Sequence, residues 1–133
     1  MGIERDDTLA VVTEYLSALS SHDVDRIVGC VSDDFVNQHT SALATSSEGR
    51  ETYRARLPHL LAEFESLRYD VLESIVEGDR AAVHYRMTAV YDGRAIALPG
   101  VMVFRVAGGH ISSRLDVWDS LTFLRQAGLA NAE

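Results

Sequence analysis

From Leu67 to Asp119 the pattern of the chain changes to a period of two, in four runs separated by short turns that each carry a glycine: Glu77-Gly78-Asp79, Asp92-Gly93-Arg94 and Ala107-Gly108-Gly109. A period of two belongs to strands, whose successive side chains point to opposite faces. Glycine-bearing turns this short close tight hairpins. The spacing predicts four long strands, Leu67 to Val76, Arg80 to Tyr91, Ala95 to Val106 and His110 to Asp119, joined as an antiparallel meander. Such a sheet has to bury one face, and helices supply the cover.

The helices are expected before it. Thr8 reads as the N-cap of a helix to Leu19, with Leu9, Val12, Leu16 and Leu19 at helical spacing and Tyr15 near that stripe. Asp23 caps a short second helix, Val24 to Val31, followed by a strand-like Phe35-Val36-Asn37 and a polar loop, Thr40 to Glu48. Gly49 opens a third helix carrying Tyr53, Leu57, Leu60, Leu61 and Phe64, which Pro58 should kink or restart. An apolar helix, Leu121 to Leu129, closes the chain. The expected class is α+β: a cone-shaped, curved antiparallel sheet wrapped around three N-terminal helices, with a short C-terminal helix.

At 133 residues the chain is expected to form a single domain spanning 1–133. Its net charge of −8, with no local run of Lys or Arg, argues against nucleic acid as a partner. No apolar run is long enough for a membrane span, and the polar start lacks a signal-peptide layout, so no membrane association and a cytoplasmic location are expected. The lone Cys30, among Ile27, Val28 and Val31, reads as a reduced core thiol. The scattered histidines suggest no metal site.

Chemistry concentrates in the last strand. Arg114, Asp116 and Trp118 share one face, which sets a carboxylate beside an indole. If that face turns inward, Asp116 is a buried acid, which a protein keeps when it is paired, hydrogen-bonded or used. If it turns outward, the carboxylate is solvated. His84, Arg86 and Thr88 share a face of the second long strand, and Arg86 opposite Asp116 would form a charge-assisted pair, either functional or simply joining two strands. His39 titrates nearest neutrality and is a general-base candidate, or else a loop histidine in water. Tyr15 could donate to a developing enolate oxygen, or pack. Arg105 and Arg114 read as surface or dimer-rim charges, and Tyr53, Tyr69, Tyr85 and Tyr91 as packing residues.

The order of elements, with the closing Gly109-His110-Ile111 and Asp119 to Gly128 segments, resembles the nuclear transport factor 2-like superfamily (a cystatin-like roll) and its SnoaL-like polyketide cyclase branch. Val11 to Leu19 through His22-Asp23 to Asp33-Asp34 is similar to the opening of ketosteroid isomerase. That resemblance puts Tyr15 at the oxyanion-holding tyrosine, His39 at the carboxylate base and Met102 where the isomerase has a protonated aspartate. Limonene epoxide hydrolase offers a second overlay: Asn37, Arg86 and Asp116 match its residues, whereas Phe35 replaces a water-holding hydroxyl and Thr88 replaces the acid that protonates the epoxide. A threonine is too weak an acid for that step, so epoxide opening by that route is not expected.

Together the overlays imply an apolar cone lined by Tyr15, Phe35, Leu60, Phe64, Met102, Phe104 and Trp118. The expected activity is proton transfer on a small hydrophobic carbonyl compound, as an isomerase or cyclase performs it, without cofactor. Asp116 or His39 would be the base, with Tyr15, Asn37 and Arg86 holding the substrate oxygen, and His84 and Thr88 beside them. The alternative is a non-catalytic ligand-binding or assembly module. In either case a homodimer is expected, its surface supplied by Val101, Val103, Leu115 and Ile111.

Overall fold

The computed structural model describes residues 5–130. The helices are α1 (Arg5–Ser21), α2 (Val24–Val28), α3 (Arg50–Glu63) and α4 (Ser120–Gln126), and the strands are β1 (Val31–His39), β2 (Ser47–Glu48), β3 (Phe64–Glu77), β4 (Arg80–Tyr91), β5 (Arg94–Ala107) and β6 (His110–Trp118). This is an α+β roll. The polar start that bears on localisation lies partly outside the described residues, among which no helix is long and apolar enough to cross a membrane.

The hairpins form where the glycines place them. Glu77 pairs with Arg80, Tyr91 with Arg94 and Ala107 with His110, so each turn has two residues. Asp92 and Gly93 have φ of 48° and 75°, and Gly108 and Gly109 have 57° and 78°. Paired left-handed residues of this kind match the twist of the flanking strands.

The sheet runs β2-β1-β6-β5-β4-β3 and is mixed rather than purely antiparallel, because β1 lies parallel to β6. Parallel neighbours need a long crossover, and the segment from α3 through β5 provides it. Pairing with β6 also extends β1 well beyond the expected Phe35 to Asn37 and shortens α2, which was expected to reach Val31. Within the expected polar loop, Ser47 and Glu48 add a two-residue strand against β1. Thr8 lies inside α1 rather than at its cap, and its hydroxyl donates to the Gly78 carbonyl at 2.6 Å, tying the helix to the first hairpin turn. Asp23 does cap α2, accepting from the Arg26 amide. α3 runs through Pro58 as one element. Cys30 is half-buried, and its thiol donates to the Arg26 carbonyl at 3.4 Å.

The helices cover the concave face. Val12, Tyr15, Leu16 and Leu19 of α1 pack with Val83, Met102 and Phe104 of the sheet, all nearly devoid of exposure. α4 is held differently. β6 ends opposite Gly100, so Ala97 of β5 has no partner on that side, and the Gln126 side chain supplies one. Its carbonyl accepts from the Ala97 amide at 2.8 Å and its NH2 donates to the Ala97 carbonyl at 3.0 Å. Gln126→Ala is expected to lower stability by about 1–2 kcal/mol through loss of both bonds, measured by urea unfolding.

Candidate active site

A cavity of about 690 Å³ opens between the sheet, α3, α4 and the segment after β1. Leu57, Leu60, Phe64, Leu98, Trp118 and Phe123 give it apolar walls. Asn37, His39, Tyr85, Arg114 and Asp116 bring polar atoms to it, with Tyr53 and Tyr69 alongside. β1 and β6 build the polar group: their parallel register sets Asn37 beside Arg114 and His39 beside Asp116. The alternation of each strand then turns all four inward.

Asp116 is 4% exposed, and each of its carboxylate oxygens accepts one side-chain hydrogen bond. Tyr85 Oη donates to its Oδ1 at 2.6 Å, and Arg114 Nη2 donates to its Oδ2 at 2.8 Å. Arg114 Nη1 in turn donates to Tyr15 Oη at 3.2 Å, and the Tyr15 and Tyr53 hydroxyls share a hydrogen bond of 2.5 Å. Burial works against the charge on Arg114, but Tyr15, Asp116 and Tyr53 around it outweigh that, and its pKa is raised. Burial also raises the pKa of Tyr15, Tyr53, Tyr69 and Tyr85, keeping all four phenols protonated as donors.

His39 has its Nδ1 3.9 Å from Asp116 Oδ2 and 3.3 Å from Trp118 Nε1. An indole N–H can only donate, so Nδ1 accepts and the ring proton resides on Nε2. Burial first, and then the Arg114 charge, lower the His39 pKa to about 4, against a smaller opposing pull from Asp116. At neutral pH the ring is an uncharged Nε2–H donor rather than a ready base. Asn37 is 7% exposed, and its Oδ1 is buried with no hydrogen-bond partner. A hydrogen-bond donor on a ligand would relieve that deficit.

The sequence-predicted residues divide accordingly. Asn37, His39, Asp116, Leu60, Phe64 and Trp118 line the cavity. Tyr15, Phe35, Met102 and Phe104 do not, because they are fully buried in the core, and Tyr15 meets the polar group only through Arg114 and Tyr53. His84 and Arg86 are exposed on the outer face of β4, with Thr88 on the same face, so no Arg86–Asp116 pair forms. The guanidinium opposite Asp116 is Arg114, which the sequence suggested was a surface charge; here it is 4% exposed. Tyr85 was likewise expected only to pack. The signal for both lay in the pairing of the hairpins, which fixes the side of the sheet each residue faces. Ile111, expected on the outer face, is fully buried in the core.

The roll and its cavity place the protein in the nuclear transport factor 2-like class of folds. The family model of the SnoaL-like domain matches residues 12–114, and the chain belongs to that family. No curated protein sequence matches it. Among solved structures it is similar to a hypothetical protein of ketosteroid isomerase-like fold from Catenulispora acidiphila, in complex with trimethylamine (20% identity, 90% of this chain and 93% of that one, TM-score 0.82). It is also similar to a candidate SnoaL-like polyketide cyclase from Jannaschia sp. CCS1 (21%, 96% and 95%, 0.82) and to an epoxide hydrolase of M. tuberculosis resembling limonene epoxide hydrolase (15%, 92% and 90%, 0.82). At these identities the likeness is one of fold.

Proposed function

We propose that the chain catalyses proton transfer on a small hydrophobic carbonyl compound, of the isomerase or cyclase type, with side chains alone. The observation that carries this reading is a carboxylate only 4% exposed at the wall of a cavity that has apolar walls on its other side and is large enough for such a molecule. Asp116 is the base: its oxygens each accept one hydrogen bond and retain lone pairs for a proton from carbon. His39 Nε2–H and the Asn37 amide hold the carbonyl oxygen as it gains charge. Leu60, Phe64 and Trp118 hold the apolar body. Tyr15 acts at a distance, orienting Arg114.

The test is hydrogen exchange in D2O on a panel of hydrophobic ketones, followed by NMR. Exchange above the buffer rate is expected at carbons next to the carbonyl, lost in Asp116→Asn and reduced in His39→Ala. Compounds that bind without exchanging, or exchange that survives both substitutions, would leave only a ligand-binding module.

The proposal extends to a homodimer. On the outer face Val101, Val103, Leu115 and Val117 form an apolar strip, with Val103 and Val117 39% and 41% exposed. It is flanked by His84 and Arg86 on β4 and by Val36 and Gln38 on β1, so a two-fold partner laid across the strip would cover its exposed valines. Sedimentation of the purified protein at a dimer mass, and at a monomer mass for Val103→Asp, is the expected outcome; an unchanged mass in the variant removes this surface from consideration.

A further inference from the structure

Tyr85 and Asp116 stand on β4 and β6, with β5 between them. Neighbouring strands are about 4.8 Å apart, so the span is nearly 10 Å, more than a side chain can cross when the intervening strand presents a side chain of its own. At the crossing point β5 has Gly100, paired with Tyr85 on one side and Trp118 on the other. A Cβ added at Gly100 would fall on the Tyr85 hydroxyl and ring carbon, and within 2.9 Å of the Val117 carbonyl. Gly100 does not have positive φ, so its backbone demands no glycine. The demand is for space. The phenol lies flat across the gap and delivers its proton to Asp116 Oδ1 at 2.6 Å.

We propose that Gly100 and Tyr85 form a cross-strand positioning device for Asp116, the missing side chain on β5 admitting the hydroxyl that fixes one carboxylate oxygen. Arg114 fixes the other oxygen from β6 itself. With both oxygens pinned, the carboxylate plane cannot rotate about its Cβ bond, and the remaining lone pairs keep one orientation toward the cavity. Tyr85 is a positioning residue, since it acts through Asp116. The groups facing that carboxylate are Arg114 on its own strand, His39 on β1, Tyr85 on β4, Tyr69 on β3 and Tyr15 on α1, with Tyr53 of α3 behind Tyr15. Of these only Arg114 and Tyr85 donate to the carboxylate. The role rests on Asp116 being the base, but the contact itself can be tested without any substrate.

Two measurements on Tyr85→Phe, Gly100→Ala and the double variant test it. The first is the proton NMR signal of a slowly exchanging hydroxyl. Beside the signal of the Tyr15–Tyr53 pair, a second downfield signal is expected in the native protein, absent from Tyr85→Phe, displaced in Asp116→Asn, and absent also from Gly100→Ala although its tyrosine is intact. Persistence of the signal in Gly100→Ala overturns the device whatever the activity. The second is the split of the exchange kinetics. Tyr85→Phe is expected to lower kcat several-fold with KM unchanged, with no further fall in the double variant. A kcat that stays in place in Tyr85→Phe overturns the positioning role. If Asp116→Asn exchanges normally, the assignment of the base fails while the hydroxyl signal still decides the contact. Should Gly100→Ala not fold, Tyr85→Phe gives both readouts by itself.

Discussion

Asp116→Asn is expected to cut ketone exchange by about 10²–10⁴-fold, the usual contribution of a positioned base, and to destabilise the protein at the same time. The two effects have separate causes. An asparagine has no basic carboxylate, so the carbon-bound proton has nowhere to go. It also leaves Arg114, 4% exposed, with a full charge and no counter-charge in the core. Removing one partner of a buried pair typically costs about 3–5 kcal/mol, and urea unfolding should show a loss of that order. Asp116→Leu combined with Arg114→Met separates the causes. With both charges gone, most of the stability should return, because two apolar side chains carry no desolvation penalty, but exchange activity should not. If the double variant is no more stable than Asp116→Asn, the salt bridge is not what the core depends on.

Acidification between pH 7 and 5 is expected to cost about 2 kcal/mol of stability through His39 alone. The folded ring titrates at about 4, because burial and the nearby Arg114 disfavour its charge, against an ordinary value of 6.5. Below 6.5 the unfolded chain binds a proton that the folded protein does not, so unfolding gains ground as the pH falls. The loss stops accumulating near pH 4, where the folded ring also protonates. With a His39 side chain 17% exposed, solvent screening leaves most of this effect in place. Other groups titrate in the same range, so the measurement is a difference: urea midpoints of the native protein and His39→Asn at pH 7 and 5. The variant should lose less by roughly the amount given. Equal losses in both proteins would mean that the imidazole is not held neutral by its surroundings.

The three turns made the long strands readable, and they held more than was taken from them. A two-residue turn at Asp92-Gly93 sets Tyr91 against Arg94, so odd positions of β4 share a face with even positions of β5. With Met102 and Phe104 inward, Val83 and Tyr85 must point inward and His84, Arg86 and Thr88 outward. A cone containing both Arg86 and Met102 is therefore inconsistent with its own hairpin. The same logic places Arg114 inside with Asp116, two residues along one strand. Its charge argued for solvent only while its partners were unknown. Tyr15 and Tyr53 come to it from α1 and α3, and no local pattern announces them. The parallel pairing of β1 with β6 was similarly out of reach, because it joins segments more than seventy residues apart and no turn connects them.

That pairing has a consequence for biogenesis. During translation the first helices and β1 emerge long before β6, so β1 waits with an unsatisfied edge, and so does β5 once its hairpin has closed. Such edges invite pairing with other chains. Only once His110–Trp118 has left the ribosome can β6 slot between the two edges and close the sheet. The same insertion brings Asn37 and His39 alongside Arg114 and Asp116. Maturation of the ligand-binding hollow and protection from aggregation are thus one event, and a polypeptide cut short before His110 has neither.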